Sequence, residues 1–193
     1  MTTANKDDLR KSLRKARKVH VEQLPQSMRG LVFHRPPAPL LDLVPAGVDI
    51  GLYNATPHEA PTTSYAQFLF ERGHRLSLPR FAEPNGPMDF AHFTDPFDES
   101  DLEIGPFGLL QPDAATESLV PGILFVPLVG FTAEGGRLGQ GGGHYDRWLA
   151  AHPQTTAIGL AWDCQLLDAL PIEAHDQSLT AIVTPTRIYG PFE

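Results

Sequence analysis

The sequence predicts an α/β protein, a single three-layer sandwich in which a mostly parallel mixed sheet carries helices on both faces. Segments typical of strands alternate with segments typical of helices, and this alternation indicates a parallel sheet. Residues 48–78 have the pattern of a strand, a helix and a second strand, which implies a parallel crossover. The chain has 193 residues, enough for one domain with a sizeable core. Because no repeat or long linker divides the chain, we expect residues 1–193 to form a single domain.

The first predicted element is an amphipathic helix that ends near residue 20. Asn5 is suited to cap it, Asp7 and Asp8 lie in its first turn, and apolar residues recur at helical spacing. Residues 23–45 contain five prolines, so they predict turns and short helical pieces instead of a long helix.

The remaining elements are predicted from apolar runs and from the residues that break them. An apolar, β-branched run at 122–127 is typical of a buried central strand. Alternation of apolar and polar residues at 88–93 favours an exposed strand. Pro79 is expected to end a separate predicted strand at 75–78. Residues 95–113 read as an acidic connection broken by proline and glycine. The other predicted strands are 48–53, 75–78, 156–161 and 180–184, and the other predicted helices are 64–72, 145–151 and 164–170.

Composition and charge exclude several classes of function. The 15 Lys and Arg residues against 23 Asp and Glu residues give a net charge of −8, which argues against nonspecific nucleic-acid binding. The single cysteine, Cys164, allows no intrachain disulfide and favours a reducing compartment. The longest apolar stretch, 119–131, contains two prolines and two glycines and is too short to span a bilayer. Since the first thirty residues also lack a signal-peptide pattern, we expect a cytoplasmic protein without nucleic-acid or membrane partners. We also expect a monomer.

The charge is distributed unevenly along the chain. Residues 1–18 contain seven Lys or Arg residues and two acidic ones, a net charge of +5, whereas residues 19–193 carry −13. The basic helix could be a solvated face, an RNA-binding tail or a surface that binds phosphates. The strongly acidic remainder of the chain disfavours the RNA interpretation.

The strongest local signal is the glycine-rich run at 135–143, in which six of nine residues are glycine. Such a run lets the backbone approach a ligand closely, and the helix that follows adds the positive end of its dipole. It is neither a Walker A loop nor a dinucleotide fingerprint. The glycines alone leave open a mobile surface loop or an anion cradle. Arg137 and Asp146 favour a nucleotide site, since they supply a cation for phosphate and a carboxylate for Mg²⁺.

Around this run the sequence resembles the signature of the 5-formyltetrahydrofolate cyclo-ligase family, also called methenyltetrahydrofolate synthetases. The matching segments are Val126-Pro127-Leu128-Val129-Gly130-Phe131, Gly136-Arg137-Leu138-Gly139, Gly141-Gly142-Gly143 and Tyr145-Asp146-Arg147. Shorter matches extend the resemblance over essentially the whole chain, in order: Lys6-Asp7-Asp8-Leu9-Arg10, Leu78-Pro79-Arg80, Gln111-Pro112, His175-Asp176 and Ile182-Val183-Thr184. The resemblance implies ATP- and Mg²⁺-dependent closure of 5-formyltetrahydrofolate to 5,10-methenyltetrahydrofolate. ADP and phosphate would be released after phosphorylation of the formyl oxygen.

The resemblance also implies roles for residues at the phosphate end of the site. Lys6 and Arg10, four residues apart on one helix face, would contact the phosphates of ATP. The other ATP-binding residues would be Arg137, Leu138, Gly139, Gln140, Gly141, Gly142, Gly143, His144 and Tyr145, of which Arg137 and Tyr145 would be catalytic. Asp146 and Asp176 would hold Mg²⁺. The alternatives are packing for Tyr145, a first-turn helix carboxylate for Asp146 and a turn cap for Asp176.

On the folate side, the resemblance implies that Asn54, Glu59 and Phe131 contact the substrate. Glu59 would face the formyl-bearing part of the folate, although it could instead be a surface acid preceding a helix. Core packing is an equally good interpretation for Phe131, as it is for Met88 and Phe90, which are further candidates for contact with the folate rings.

Several positions depart from the family pattern. Gln140 and His144 stand where bacterial members usually carry tyrosine, and Leu128 and Thr132 replace a common glycine and aspartate. His144 could donate to an oxyanion as the tyrosine would, and its titration would then make activity sensitive to pH near neutrality. These departures leave open a noncatalytic paralogue that binds a nucleotide or folate without turnover.

Overall fold

The computed structural model describes residues 6–29, 31–84, 86–171, 173 and 176–192. The proposed cap Asn5 and the matched His175 lie outside these residues. The helices are α1 (Lys6–Gln23), α2 (Gln26–Arg29), α3 (Ala38–Leu41), α4 (Thr63–Glu71) and α5 (His144–Ala151), with a 3₁₀ turn at Asp163–Gln165. The strands are β1 (Ile50–Gly51), β2 (Leu76–Phe81), β3 (Met88–Phe93), β4 (Leu102–Ile104), β5 (Leu110–Pro112), β6 (Ile123–Pro127), β7 (Gly130–Thr132), β8 (Arg137–Leu138), β9 (Thr156–Leu160), β10 (Leu166–Leu167), β11 (Ala181–Val183) and β12 (Ile188–Tyr189).

Seven strands form the main sheet in the order β12-β11-β9-β6-β1-β2-β3. The five inner strands are parallel to one another, and each edge strand is antiparallel to the inner strand beside it. The β1-α4-β2 and β6-α5-β9 units are parallel crossovers. The predicted α/β class and the mostly parallel mixed sheet are therefore confirmed.

The central strand β6 shows how both faces of the sheet are covered. Successive side chains of a strand point to opposite faces. Ile123 and Phe125 pack in a core cluster with α4, whereas Leu124 and Val126 pack in a second cluster with Trp148 of α5. A strand that is buried on both faces reads as a continuous apolar run, and this is why its position could be predicted from the sequence.

Two local predictions near the sheet edge were wrong. Strand β2 does not end at Pro79 but runs to Phe81. Its parallel neighbour β1 ends opposite Ser77, so no parallel strand needs an N–H from Pro79. Strand β3 is mostly buried because Met88 and Phe90 pack in one core cluster and Phe93 packs in the other. Residues 117–119 pair along its outer edge, where Leu119 N donates to the carbonyl of Phe90 at 2.8 Å.

The predicted helix at 164–170 is also wrong. The segment instead forms the 3₁₀ turn and β10, which pairs with β7 in a small sheet completed by β8. The side-chain amide of Gln165 donates to the carbonyls of Leu128 and Val129 at 2.6 and 2.9 Å. This long-range contact holds the segment extended, and helical periodicity cannot reveal it. The part of the chain that the structure describes contains no helix long and apolar enough to cross a membrane.

Candidate active site

A cavity of about 820 Å³ opens at the carboxyl ends of β1, β2 and β6. The order of strands reverses between β1 and β6, because the chain first adds β2 on one side and later adds β9 on the other. Open α/β sheets bind ligands at such a switch point. The cavity is closed by the start of α1, the glycine-rich loop, the β4–β5 hairpin and the segment around Glu173 and Asp176.

One end of the cavity is cationic. Lys6, in the first turn of α1, donates to Asp176 at 2.8 Å and lies 3.2 Å from Glu173. Burial alone would lower the pKa of Lys6, but the hydrogen bonds to these two carboxylates raise it. Arg137 is buried, donates to the Asp146 carboxylate and also to the carbonyl of Gln177 at 3.0 Å. Each of the two cations at this end of the cavity is therefore paired with at least one carboxylate.

Helix α1 holds the glycine-rich loop through a row of arginines. Arg10 donates to the carbonyl of Gly139 at 3.0 Å. One turn later, Arg14 donates to the side chain and the carbonyl of Gln140 at 3.0 and 2.8 Å. The loop is therefore tied to the helix at two successive residues.

The loop conformation depends on glycine at Gly141 and Gly143. Their φ angles are +108° and +64°, in the region that side chains rarely adopt. A Cβ on Gly143 would also lie 2.8 Å from a guanidinium nitrogen of Arg147. Helix α5 begins immediately afterwards at His144, so its positive end faces the same cavity.

Glu59 occupies the floor of the cavity and is 8% exposed. One carboxylate oxygen accepts the backbone N–H of Thr56 at 2.9 Å, and the other accepts the side-chain amide of Gln140 at 2.7 Å. The Tyr53 and Tyr145 hydroxyls lie nearby. Burial, followed by the charge of Glu59, raises the pKa of both phenols. Both hydroxyls therefore remain neutral, and that of Tyr53 donates to the carbonyl of Ala60 at 2.6 Å.

The opposite wall of the cavity is apolar. The rings of Phe81 and Phe107 meet edge to face at 4.9 Å, and the His144 ring packs against Phe81 at the same distance. Arg147 donates to Nδ1 of His144 at 3.1 Å. Burial first, and then the positive charge of Arg147, lower the pKa of His144. At neutral pH the imidazole is uncharged and extends this apolar wall.

The structure brings most of the predicted site residues to this one cavity. Asn54 and Glu59 line it from the segment after β1, where Asn54 donates to the carbonyl of Leu110 at 3.3 Å. The other predicted residues that line it are Lys6, Arg10, Arg137, Leu138, Gly139, Gln140, Gly141, Gly142, Gly143, His144, Tyr145, Asp146 and Asp176.

Phe131 is the exception and requires a correction. Its side chain is fully buried, and its ring packs 5.1 Å from that of Tyr189. It does not line the cavity, so its predicted contact with the folate is replaced by core packing. Phe90 is likewise buried against Trp148, whereas Met88 lines the cavity.

The structure adds several residues to the site. Arg17, Phe81, Phe107 and Glu173 all line the cavity. Arg17 carried a usable signal, because it continues the helical spacing of Arg10 and Arg14. No sequence pattern indicated Phe81 and Phe107 as site residues, because the β4–β5 hairpin that presents Phe107 lies in a segment predicted as an irregular connection.

The departures from the family pattern separate into two groups. Leu128 and Thr132 are buried and lie outside the cavity. The Thr132 hydroxyl accepts the N–H of Gly136 at 3.3 Å and so stabilises the turn between β7 and β8. Gln140 and His144 do line the cavity.

Comparison with known proteins agrees with the fold. A family model described as the 5-formyltetrahydrofolate cyclo-ligase family matches residues 2–185. The chain is 34% identical over 138 residues to the 5-formyltetrahydrofolate cyclo-ligase of Escherichia coli K12, covering 68% of this chain and 74% of the relative. It is 26% identical over 145 residues to the enzyme of that name from Mus musculus, covering 69% and 71%.

Solved structures show the same fold at lower identity. The NMR structure of Aquifex aeolicus 5,10-methenyltetrahydrofolate synthetase superposes with a TM-score of 0.76 at 23% identity, covering 97% of this chain and 93% of that one. A 5,10-methenyltetrahydrofolate synthetase from Mycoplasma pneumoniae gives 0.66 at 24% identity, covering 92% and 97%. The fold, the cavity and the relatives together define an enzyme of the ligase class, active in folate-dependent one-carbon metabolism. The chain belongs to the 5-formyltetrahydrofolate cyclo-ligase family.

Proposed function

We propose that this chain converts 5-formyltetrahydrofolate and ATP to 5,10-methenyltetrahydrofolate, ADP and phosphate in a Mg²⁺-dependent reaction. The observation that carries the proposal is a single cavity with a cationic end and an apolar wall, joined across its floor by the 2.7 Å hydrogen bond between Gln140 and Glu59. The two substrates must react with each other directly, so one continuous cavity is what the chemistry requires.

ATP would bind at the cationic end. Lys6, Arg10 and Arg137 would neutralise the phosphates, and the backbone of residues 138–145 would supply N–H donors. Phosphoryl transfer depends mainly on positioning and on charge stabilisation. Arg137 is the best placed to act on the transferred group because Asp146 and Gln177 fix its guanidinium.

Asp146 and Asp176 would hold Mg²⁺ in this arrangement. Carboxylate oxygens suit this hard cation, which in phosphate sites usually takes one or two carboxylates together with phosphate oxygens and water. The described residues contain no group of three or more candidate metal-ligating side chains. The two carboxylates therefore fit a Mg²⁺ ion that enters the site with the nucleotide better than one that the protein alone binds permanently. When bound, the ion would reduce the negative charge on the phosphates.

The folate would lie with its rings against Phe81 and Phe107 and its formyl group near Glu59 and Tyr145. In the first step the formyl oxygen attacks the terminal phosphorus of ATP, and ADP leaves. The neighbouring folate nitrogen then attacks the activated carbon and loses its proton, and the carbon–oxygen bond breaks to release phosphate. The neutral Tyr145 hydroxyl is suited to donate to an oxygen in either step.

A turnover assay tests this proposal. Pure protein is mixed with 5-formyltetrahydrofolate, ATP and Mg²⁺, and the absorbance of the methenyl product is followed with ADP release, with ATP or Mg²⁺ omitted as controls. We expect equal amounts of the two products and none in either control. A folded protein that binds both substrates without turnover would instead be a noncatalytic paralogue.

A further inference from the structure

Arg17 is a buried arginine that the proposed chemistry does not use. It lies on α1, lines the cavity and is only 6% exposed. Its guanidinium is 3.8 Å from a Glu59 carboxylate oxygen and 3.4 Å from the carbonyl of Leu128. Its Nε, also buried, has no hydrogen-bond partner among the described residues. A charged group held this deep with incomplete hydrogen bonding is unfavourable for stability, so a functional reason for it should be sought.

The position of Arg17 on the helix distinguishes it from the other arginines of its row. Arg10, Arg14 and Arg17 follow one another at spacings of four and three, so they share a face of α1. The first two bind the glycine-rich loop. Arg17 reaches past the loop and pairs with Glu59. Helix α1 therefore fixes the positions of both the glycine-rich loop and the Glu59 carboxylate.

The surroundings of Glu59 require a compensating cation. The carboxylate is buried next to the hydroxyls of Tyr53 and Tyr145 and accepts hydrogen bonds from Thr56 and Gln140. None of these four groups carries a positive charge. A buried carboxylate remains charged at acceptable free energy only when it is paired and well hydrogen-bonded. Arg17 supplies the pairing charge.

We propose that Arg17 is a positioning residue that holds the Glu59 carboxylate oriented toward the folate. This inference rests on the proposed function, because it takes Glu59 to be a folate contact. The guanidinium of Arg17 pairs with the Glu59 carboxylate, and its Nε is inaccessible to the substrate. Arg17 therefore acts through Glu59. Its removal should therefore weaken folate binding and leave ATP binding nearly unchanged.

A double-mutant cycle tests the proposal. The variants are Arg17→Met, Glu59→Gln and the pair together, and titration calorimetry gives the dissociation constants for 5-formyltetrahydrofolate and for ATP with Mg²⁺. We expect each single variant to weaken folate binding by about tenfold and to change ATP binding by less than about twofold, as for loss of one partner of a buried pair. The double variant should bind folate about as well as Glu59→Gln alone, because residues that act as a unit are not additive.

Two further variants complete the design. Lys18→Met, at the exposed neighbouring position on α1, should bind both substrates like the unsubstituted protein. Arg17→Lys keeps the charge and should recover part of the folate affinity. If Arg17→Met fails to fold, Arg17→Lys and the double variant, which contains neither buried charge, still decide the question.

The outcomes separate this inference from the proposed function. Independent effects that multiply to about a hundredfold in the double variant, or equal losses for folate and ATP, would overturn the role of Arg17. Normal folate binding without turnover in the unsubstituted protein would instead overturn the proposed function. Because the cycle measures binding, it gives a result in either case.

Discussion

The ammonium of Lys6 lies 2.8 Å from a carboxylate oxygen of Asp176, a residue 170 positions later in the chain. This pair joins the start of α1 to the segment after β10 and closes the cationic end of the cavity. It also explains the uneven charge of the sequence. The basic residues of α1 are not a free tail, since Lys6, Arg10 and Arg14 each contact a segment far away in the sequence.

Replacing Lys6 tests its proposed contact with the phosphates. In Lys6→Ala the cation between the nucleotide and two carboxylates is lost, so we expect the KM for ATP to rise about tenfold or more. The KM for folate should change by less than about twofold. Steady-state kinetics with each substrate varied in turn measure both values. Lys15→Ala, an exposed change on the same helix, is the control, and an unaltered ATP constant in Lys6→Ala would remove Lys6 from the site.

Asp146→Asn should impair both catalysis and stability. The substitution removes a proposed Mg²⁺ ligand, so kcat/KM should fall at least about tenfold at limiting Mg²⁺ and recover partly at high Mg²⁺. It also removes the charge paired with the buried Arg137, which should lower the free energy of unfolding by about 3 kcal/mol. Asp8→Asn, at an exposed position outside the cavity, controls for loss of one carboxylate. A Mg²⁺ dependence identical to that of the unsubstituted protein would contradict the metal assignment.

Gly141→Ala tests the proposed use of the glycine-rich loop. The residue has φ +108°, so a side chain there strains the backbone by about 1–2 kcal/mol, and we expect the KM for ATP to increase. Gly47→Ala introduces a side chain at φ +73° in open space, away from the cavity. It should show a similar loss of stability by thermal unfolding but normal kinetics. Equal kinetic effects in the two variants would mean that the loop acts only through stability.

The lowered pKa of His144 predicts a pH-dependent stability. Below the ordinary pKa of about 6.5 the unfolded chain binds a proton at this residue that the folded protein resists. The free energy of unfolding should therefore fall as the pH drops from about 6.5 toward the lowered pKa of the folded state. Above about pH 7, His144 should not affect the pH dependence of stability. His144→Phe keeps a ring against Phe81 but cannot titrate. Its Tm between pH 5 and 8 should decrease less steeply than that of the unsubstituted protein, and parallel curves would contradict the assignment.

The sequence predicted the parts of the fold that depend on local pattern. The apolar run of β6 and the amphipathic spacing of α1 are properties of short segments, and the structure contains both. Pro79 and residues 164–170 were misread because their conformations depend on partners elsewhere. At Pro79 a neighbouring strand ends early, and near residue 165 an amide binds distant carbonyls.

The candidate site was predictable where motif and chemistry coincided. The glycine-rich run and the charged residues near it lie together in the cavity, as their residue types indicated. The helical spacing of Arg17 after Arg10 and Arg14 indicates a shared face of α1, but its burial becomes visible only in three dimensions. Phe131 shows the opposite error, since a motif position can be occupied by a core residue.

The central proposal is that the cavity holds the formyl oxygen of the folate against the terminal phosphate of ATP. The most direct test uses 5-formyltetrahydrofolate labelled with ¹⁸O in the formyl group, with the released phosphate analysed by mass spectrometry after a single turnover. We expect the label to appear in inorganic phosphate, one atom for each methenyltetrahydrofolate formed. Product formation at the normal rate with unlabelled phosphate would contradict the phosphorylated intermediate and the arrangement of substrates proposed for this cavity.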